Sequence, residues 1–361
     1  GLTEARTKAV AGVLDGLPPL NACWRQLVKF SAQYYQRSLG EVALAALPPQ
    51  LRGLDSTQLA RRLKKRAKAG TAGPATPGEL SGHDLSDEQA EALQALAAAS
   101  TPVLLFGATG SGKTEVYLQA IADCLRRGRQ ALVLVPEIGL TPQTLARFRE
   151  RLGVPVHALH SGLNDGERAR TWAACLRGEA RVIVGTRSAV FLPLPEAGLI
   201  VVDEEHDGSF KQLDGIRYHA RDFALVRGKA LGVPVLLGSA TPSLETLHNA
   251  QTGRYTLLRM NHRAGGARPP RMLRLDVKSL PLDSGISGPL QQAIRQTLEA
   301  GQQVLVFLNR RGFAPTLLCH DCGWLSECPR CDARMTVHQR SGVLRCHHCG
   351  YDERLPQQCP Q

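Results

Sequence analysis

The stretch GATGSGKT at residues 107–114 constrains the fold of this chain more than any other part of its sequence. It follows an apolar run that ends at Phe106 and precedes a helical pattern expected to end near Arg127, with Gly128 as its stop. The stretch fits the pattern G-x-x-x-x-G-K-[ST], which requires a strand before it and a helix after it. Its glycines let backbone N–H groups turn toward phosphate oxygens, and the helix N-terminus adds partial positive charge. The sequence therefore predicts a nucleotide site on an α/β sheet.

Each residue of this loop has an expected role. Lys113 is expected to reach the β- and γ-phosphates, and Thr114 to ligate Mg²⁺. Upstream, Ser86 and Gln89 form an S-x-x-Q capping box, but a glutamine at this place could also read the adenine edge, so both roles stay open. The residues predicted to bind ATP are Gln89, Gly107, Ala108, Thr109, Gly110, Ser111, Gly112, Lys113 and Thr114.

Short apolar runs rich in β-branched residues alternate with helix-length segments in the rest of the chain. The runs are PVLLF, ALVLV, RVIVG, LIVV, VPVLLG and QVLVFL, at residues 102–106, 131–135, 181–185, 199–202, 233–238 and 303–308. Strands of this kind, separated by helices, indicate a parallel sheet with helices on both faces. The predicted fold class is α/β.

The stretch LIVVDEEH at residues 199–206 puts acidic residues at the end of a buried strand. In a phosphate-loop protein the aspartate that holds Mg²⁺ lies there, at the carboxyl edge of the sheet. Asp203 is the candidate for that role, and Glu204 is the candidate to polarise the attacking water. Taken alone, a surface cluster of acids would be the simpler interpretation. Because the phosphate loop at 107–114 is also present, a role of these acids in nucleotide hydrolysis is the favoured interpretation.

Charge and hydropathy narrow the class of partner. The formal net charge is +12 and the pI about 9.5, which favours nucleic acid as a partner without proving it. No run approaches the roughly 18 apolar residues that would cross a bilayer. Residues 1–70 have a helical pattern, and a basic run at 61–68 could contact phosphates or form a solvated helix face.

Seven of the ten cysteines fall close together near the end of the sequence. They form three C-x-x-C pairs and one remainder: Cys319, Cys322, Cys328, Cys331, Cys346, Cys349 and Cys359. Two thiolates on one tight turn reach the same ion, so repeated pairs are a strong zinc signal and favour a reducing compartment. The simplest explanation for the unpaired Cys359 is that a cysteine directly after Gln361 would complete a fourth C-x-x-C pair. The alternative fourth ligands are His320, His338, His347 and His348.

As a set, these motifs resemble the PriA family of replication-restart DNA helicases, in superfamily 2. The stretch at 107–121 resembles motif I, and 134–143, 184–194, 201–212, 236–246 and 304–315 resemble motifs Ia, Ib, II, III and IV. The DEEH form of motif II, the stretch NRRGFAP and the cysteine spacing separate the chain from cousins such as RecG.

The resemblance implies a 3′-to-5′ ATP-dependent helicase that recognises stalled forks and initiates primosome assembly. The implied catalytic residues are Lys113, Thr114, Asp203, Glu204 and His206, with Ser239 and Thr241 coupling nucleotide state to DNA. The residues implied to contact DNA are Pro136, Thr141, Thr186, Arg187, Phe210, Lys211 and Tyr218. Phe210 and Tyr218 belong to an aromatic-rich loop, although either ring could be a core residue.

The family pairing implies two zinc ions. One would bind Cys328, Cys331, Cys346 and Cys349, and the other would bind Cys319, Cys322, Cys359 and a residue beyond the sequence. The implied cofactors are thus ATP, Mg²⁺ and two Zn²⁺. The implied partners are forked and single-stranded DNA, single-stranded DNA-binding protein and other primosome proteins. A monomer in the bacterial cytoplasm, associated with the nucleoid and not with a membrane, is expected.

The resemblance also implies a domain order. It comprises a winged-helix domain at 1–70, a linker at 71–82, helicase lobe 1 at 83–268, the start of lobe 2 at 269–316 and a zinc-binding module at 317–361. The family's 3′-DNA-binding domain is expected to be missing. Motifs V and VI are also expected to be missing, and their absence would impair ATP hydrolysis. A second hypothesis, from another class, is a zinc-dependent fork-binding scaffold with a regulatory nucleotide site.

Overall fold

The computed structural model describes two compact units, residues 1–268 and 269–361, and each is considered by itself. The described residues are 13–14, 16–49, 51, 57–58, 84–263, 270–283, 285–307, 316–331, 333–338, 341–347 and 349–360. The predicted basic run at 61–68, the linker at 71–82, His348 and residues 308–315 of motif IV lie outside them.

The first unit is built on a seven-stranded sheet in which every strand pair is parallel. Its strands are β1 Val103–Gly107, β2 Gln130–Leu134, β3 Val156–Leu159, β4 Val182–Gly185, β5 Ala197–Asp203, β6 Val235–Ser239 and β7 Thr256–Met260. Their order across the sheet is β3-β4-β2-β5-β6-β1-β7. The predicted α/β class is confirmed.

Eight helices of this unit are described, together with three short 3₁₀ turns. The helices are α1 Ala22–Tyr34, α2 Leu39–Ala46, α3 Asp87–Ala98, α4 Lys113–Arg126, α5 Pro142–Leu152, α6 Asp165–Leu176, α7 Ala220–Leu231 and α8 Leu244–Gln251. The 3₁₀ turns are Glu137–Gly139, Arg187–Phe191 and Gly208–Phe210. In the part of the chain that is described, no helix is both long and apolar enough to cross a membrane.

The sheet is buried on both faces, which explains its continuous apolar runs. Alternate residues of a strand point to opposite faces. In β1, Leu104 joins a cluster with α1, α6 and α7, whereas Val103 and Leu105 join a second cluster with α3, α4 and α5. Helix α1 contributes Trp24 to the first cluster, so it packs into the core of the α/β unit.

Five of the six predicted strands are confirmed, with ends shifted by one or two residues. The runs that became β3 and β7 were not predicted; β3 contains the polar His157 and β7 contains Arg259. The predicted strand at 303–308 is wrong over its described part, 303–307. Leu305 is 93% exposed and Phe307 79% exposed, and no described strand lies beside them to pair with their backbone.

The second unit combines one helix with small antiparallel sheets. A two-stranded ladder, β8 Leu282–Asp283 with β9 Ile286–Ser287, leads into helix α9 at Gly288–Glu299. The cysteine-rich part contains a three-stranded antiparallel sheet of β10 Thr336–His338, β11 Val343–Arg345 and β12 Asp352–Arg354. A small core around Met335, Val337 and Leu344 also contains two of the cysteines.

The fold generates a prediction at Gly238 in β6. A Cβ atom there would lie 1.6 Å from the hydroxyl oxygen of Tyr117, which is fully buried. We expect Gly238→Ala to lower the free energy of unfolding by about 2–3 kcal/mol, because the ring must leave its place in a packed core. Urea unfolding measures the change.

The matched control is Gly40→Ala in α2. A Cβ at Gly40 meets nothing within 4 Å, so stability should stay unchanged or rise slightly. Equal stabilities for the two variants would contradict the packing at Gly238.

Candidate nucleotide site and metal centre

The register of three neighbouring strands brings the predicted nucleotide residues together. Strand β6 lies between β5 and β1, and the pairs Asp203–Gly238 and Phe106–Ser239 are in register. Because parallel strands end at the same edge, the loop after β1, the acids after β5 and the hydroxyl of Ser239 meet there. Motifs far apart in the sequence therefore form one site.

The loop between β1 and α4 has the backbone that phosphate binding needs. Gly110 and Gly112 adopt φ angles of 82° and 87°, in the left-handed region that favours glycine. The Lys113 ammonium donates to the carbonyl oxygens of Gly107 at 2.7 Å and Ala108 at 3.2 Å. Burial lowers the pKa of Lys113, while the nearby charges of Glu204 and Asp203 oppose that shift. The Lys113 side chain thus lies against the loop, and the negative charges of Asp203 and Glu204 act on its ammonium group.

The two acids that follow β5 occupy different positions. Asp203 accepts hydrogen bonds from the Tyr117 hydroxyl at 2.9 Å and from the Glu204 N–H at 3.0 Å. Burial raises the pKa of Asp203, and burial together with the Asp203 charge raises the pKa of Glu204. A bound divalent cation would favour the ionised form of both, so the donor set suits Mg²⁺.

A cavity of about 550 Å³ opens between the loop and the acids. This volume is within the range of small-molecule sites. Its lining residues include Gln89, Thr109, Gly110, Gly112, Lys113, Thr114, Asp203 and Glu204. Arg147 of α5 also lines it; sequence reasoning missed this residue because no motif marks it. The Ser111 hydroxyl is buried without a hydrogen-bond partner among the described residues, which fits a ligand rich in acceptor oxygens.

Gln89 performs the structural role that was left open. Its side-chain oxygen accepts from the Ser86 N–H at 2.9 Å, and the Ser86 hydroxyl accepts from the Gln89 N–H, so the capping box is confirmed. The Gln89 amide also donates to the Gly112 carbonyl oxygen at 3.3 Å. Gln89 therefore ties the start of α3 to the phosphate loop.

His206 connects the acids to the loop that follows β6. Its Nδ1 lies 2.8 Å from the Ser239 hydroxyl, and its Nε2 lies 3.3 Å from the Thr241 hydroxyl. The Thr241 N–H donates to the Ser239 hydroxyl at 2.9 Å. His206, implied to be catalytic, is thus in direct contact with Ser239 and Thr241, which are expected to couple nucleotide state to DNA.

Glu205 is a residue of the site that sequence reasoning missed. Its side chain is fully buried and accepts from the Ser243 N–H at 2.7 Å, the Thr246 hydroxyl at 2.8 Å and Arg221 at 3.0 Å. These bonds fix the start of α8 and the start of α7 to the acidic motif. The available signal was its place between Glu204 and His206, directly after a buried strand.

The residues expected to contact DNA have mixed positions. Pro136 and Thr186 are buried, and Thr141 caps α5 by accepting from the Thr144 N–H at 3.1 Å. Lys211 donates from its ammonium to the Arg217 carbonyl at 2.6 Å.

Three further residues of that set make contacts within the protein itself in this conformation, and their role at DNA stays a prediction. Phe210 is 0% exposed and Tyr218 is 7% exposed, so in this conformation both rings are core residues and are not available to stack on bases. Burial raises the pKa of Tyr218 to about 12. Arg187 donates to the carbonyl oxygens of Ser209 and Lys211, each at 3.0 Å, so its guanidinium holds a loop of the protein itself.

The cysteines form the two clusters that the resemblance implied. In one, the sulfurs of Cys328, Cys331, Cys346 and Cys349 all lie within 4.8 Å of one another. Cys328–Cys349 and Cys331–Cys346 are each 3.5 Å apart. Two sulfurs on a tetrahedral zinc with bonds of about 2.3 Å would be about 3.8 Å apart. This donor set therefore fits a closed structural zinc site.

The second cluster contains Cys319, Cys322 and Cys359, again within 4.8 Å. Cys322 and Cys359 are 3.6 Å apart. Backbone N–H groups of Cys322 and Asp321 lower the pKa of Cys319 to about 7, which favours the thiolate that binds metal. Three of the four ligands of a second zinc site are thus together.

Family models match three parts of the chain. Residues 86–250 match the DEAD/DEAH box helicase model, and residues 328–354 match the PriA DNA helicase Cys-rich region domain. Residues 1–48 match the 3′DNA-binding domain, so the expectation that this domain is missing is wrong for those residues. The winged-helix assignment at 1–70 stays a prediction, and this match weighs against it over the first 48 residues.

Relatives from distant bacteria resemble the chain over most of its length. Replication restart protein PriA of Haemophilus influenzae is 39% identical, over 99% of this chain and 58% of the relative. PriA of Bacillus subtilis is 44% identical over 72% of this chain and 32% of the relative. PriA of Rickettsia conorii is 39% identical over 93% of this chain and 50% of the relative. The chain spans between about a third and three fifths of these relatives.

The buried position of Glu205 generates a prediction on stability. We expect Glu205→Gln to lower the free energy of unfolding by about 3 kcal/mol, because Arg221 loses its buried counter-charge. Glu204→Gln is the matched control, since that side chain is 42% exposed and should lose little stability. Thermal unfolding compares them, and equal losses would contradict the network at Glu205.

The four-cysteine cluster generates a prediction on metal content. We expect Cys328→Ser to lower bound zinc by one ion per chain and to loosen the cysteine-rich sheet, because its apolar core is small. Cys23→Ser, at an unclustered thiol of α1, should leave zinc unchanged. Elemental analysis measures both, and an unaltered zinc content in Cys328→Ser would contradict the site.

Proposed function

Because the chain belongs to the PriA family of replication restart helicases, we propose that it hydrolyses ATP to move along DNA in the 3′-to-5′ direction and to unwind forks. The observation that carries this proposal is the meeting of three motifs at one sheet edge, where His206 contacts Ser239 and Thr241 beside the acids. Such contacts give the nucleotide site a direct mechanical connection to the loop that follows β6.

The proposed hydrolysis of ATP uses residues that line the cavity between the loop and the acids. Mg²⁺ would supply positive charge to the phosphates when bound, with Thr114 and Asp203 as its ligands. The Lys113 ammonium leaves the carbonyl oxygens of Gly107 and Ala108 and turns to the phosphates. Glu204 accepts a hydrogen bond from the attacking water and orients it. Asp203 keeps its position through the Tyr117 hydroxyl, which lies 2.9 Å away.

The DNA step is proposed for the same edge of the sheet. Thr141, Thr186 and Lys211 belong to segments near the carboxyl ends of the strands, where DNA would run past the nucleotide site. The net charge of +12 supports attraction of a polyanion. For Phe210 and Tyr218 to stack on bases, the loop that follows DEEH must first open.

The wider role is proposed from the family. It comprises recognition of stalled forks, binding of a 3′ end through residues 1–48, and assembly of a primosome with single-stranded DNA-binding protein and other primosome proteins. A monomer in the bacterial cytoplasm fits that role. The four-cysteine site leaves no open position for a substrate, so we assign the zinc-binding module to holding strands or docking proteins and not to catalysis.

The decisive variant is Lys113→Ala. In the complete protein, with motifs V and VI present, we expect fork-stimulated ATP hydrolysis to fall by roughly 10²-fold or more while fork binding stays within twofold, because Lys113 stabilises charge that develops on the phosphates. Lys229→Ala, at an exposed lysine of α7, is the charge-matched control. Phosphate release and fork binding are measured on the same DNA.

Two results would argue against a helicase. Fork-stimulated hydrolysis that persists in Lys113→Ala would exclude this nucleotide site as the motor. A complete, unsubstituted protein that binds forks and zinc but never displaces a strand would favour the zinc-dependent scaffold with a regulatory nucleotide site.

A further inference from the structure

The short turn Arg187–Phe191, which follows β4, and the residue after it, Leu192, are held from outside at three consecutive carbonyl groups. Those of Val190 and Leu192 accept from Arg227 at 2.6 Å and 2.5 Å, and that of Phe191 accepts from Trp24 at 2.7 Å. All three bonds are buried. Buried hydrogen bonds of this kind fix a backbone more firmly than exposed ones, since water cannot replace the lost donor.

Trp24 brings an element from far away in the sequence to this turn. It lies on α1, is 5% exposed, and bonds a residue 167 positions later. Aromatic rings reinforce the contact. The ring centroids of Phe30 of α1 and Phe223 lie 5.9 Å apart, and those of Phe223 and Phe191 lie 5.6 Å apart. Helix α1 is therefore fastened to the turn by one hydrogen bond and a series of ring contacts.

Arg227, on helix α7, also holds the turn. Its side chain is buried, and the hydrogen bonds found for it go to the two carbonyl groups of the turn. Burial lowers the pKa of Arg227 to about 10, so the group is still charged at neutral pH. A buried charge is costly unless it is hydrogen-bonded. The Arg227 guanidinium therefore stabilises the position of the turn in which the two carbonyl oxygens accept from it.

The first residue of the same turn reaches the loop that follows DEEH. Arg187 donates to the carbonyl oxygens of Ser209 and Lys211, each at 3.0 Å. Tyr218, near the end of that loop, packs against Phe191, and the two ring centroids lie 4.9 Å apart. The turn therefore holds the loop at residues 207–218 near both of its ends.

From this geometry we infer that Trp24 and Arg227 are positioning residues for the loop at 207–218. They fix the turn, and the turn lets Arg187 fix the loop that directly follows the acidic motif. Helix α1, in the part of the chain that matches the 3′DNA-binding domain, thereby sets the conformation of a loop next to the nucleotide site. The effect on catalysis rests on the proposed function, whereas the effect on the loop does not.

The chain offers a matched pair of variants. Trp24→Phe keeps a buried ring but removes the N–H that bonds Phe191. Trp172→Phe makes the same substitution at a tryptophan that is 4% exposed and whose N–H has no partner among the described residues. Only the first variant loses a hydrogen bond to the turn.

The test is hydrogen–deuterium exchange of the protein without nucleotide or DNA. The Gln212 N–H, bonded to the Tyr218 carbonyl at 2.8 Å, reports on the loop. We expect exchange at 207–218 to become about fivefold faster in Trp24→Phe and unchanged in Trp172→Phe, with β2 and β5 unaltered in both. Arg227→Lys should accelerate the same segment, and it serves as the test if Trp24→Phe does not fold.

A double-mutant cycle separates positioning from general loosening. If Trp24 acts through Arg187, then Trp24→Phe should add little to the loop exchange of Arg187→Lys. Acceleration confined to α1, equal acceleration in Trp172→Phe, or fully additive effects would each overturn the inference. Because no nucleotide or DNA is present, such a failure would leave the helicase proposal standing.

If both proposals hold, Trp24→Phe should also change the DNA dependence of ATP hydrolysis. Trp24→Phe should raise the single-stranded DNA concentration for half-maximal ATPase by roughly fivefold while the KM for ATP stays within twofold, since Trp24 lies outside the cavity lined by Lys113 and Asp203. A rise in the KM for ATP alone would contradict action through the loop.

Discussion

The parallel alignment of strands that are buried on both faces is the constraint on which the rest of the first unit depends. Since neither face of the sheet can accommodate exposed polar groups, these collect where the strands end. The register then decides which of them meet: Asp203 lies opposite Gly238, and Phe106 opposite Ser239. A shift of one residue in β6 would separate His206 from the Ser239 hydroxyl, which lies 2.8 Å away.

Two adjacent glutamates show how position determines role. Glu204 has a φ angle of 46° and turns toward the cavity, where its carboxyl group can act on a water. Glu205, the next residue, points into the protein and is saturated by donors from Ser243, Thr246 and Arg221. Glu205 therefore holds the backbone that presents Glu204 to the cavity.

Local patterns predicted what depends on local chemistry. The phosphate loop, the acids after β5, the capping box at Gln89 and the cysteine pairs each require specific residues at fixed spacing, so the sequence alone identified them. Glu205, Arg147 and Trp24 escaped because their roles arise only from contacts across the fold. For Phe210 and Tyr218 the sequence left both a DNA-contacting and a core position open, since the same aromatic residue in a loop can stack on a base or pack in a core.

The contact between Trp24 and Phe191 has a consequence for synthesis on the ribosome. Helix α1 is made early, yet the carbonyl that it bonds follows 167 residues later. At translation rates of about 5–20 residues per second, α1 waits roughly 10–30 s for its partner. During that interval the residues of α1 that pack in the core of the folded chain, among them Leu27 and Val28, lack the partners supplied by the later strands and helices. Docking of α1 is thus a late event in synthesis, because it requires the turn that follows β4.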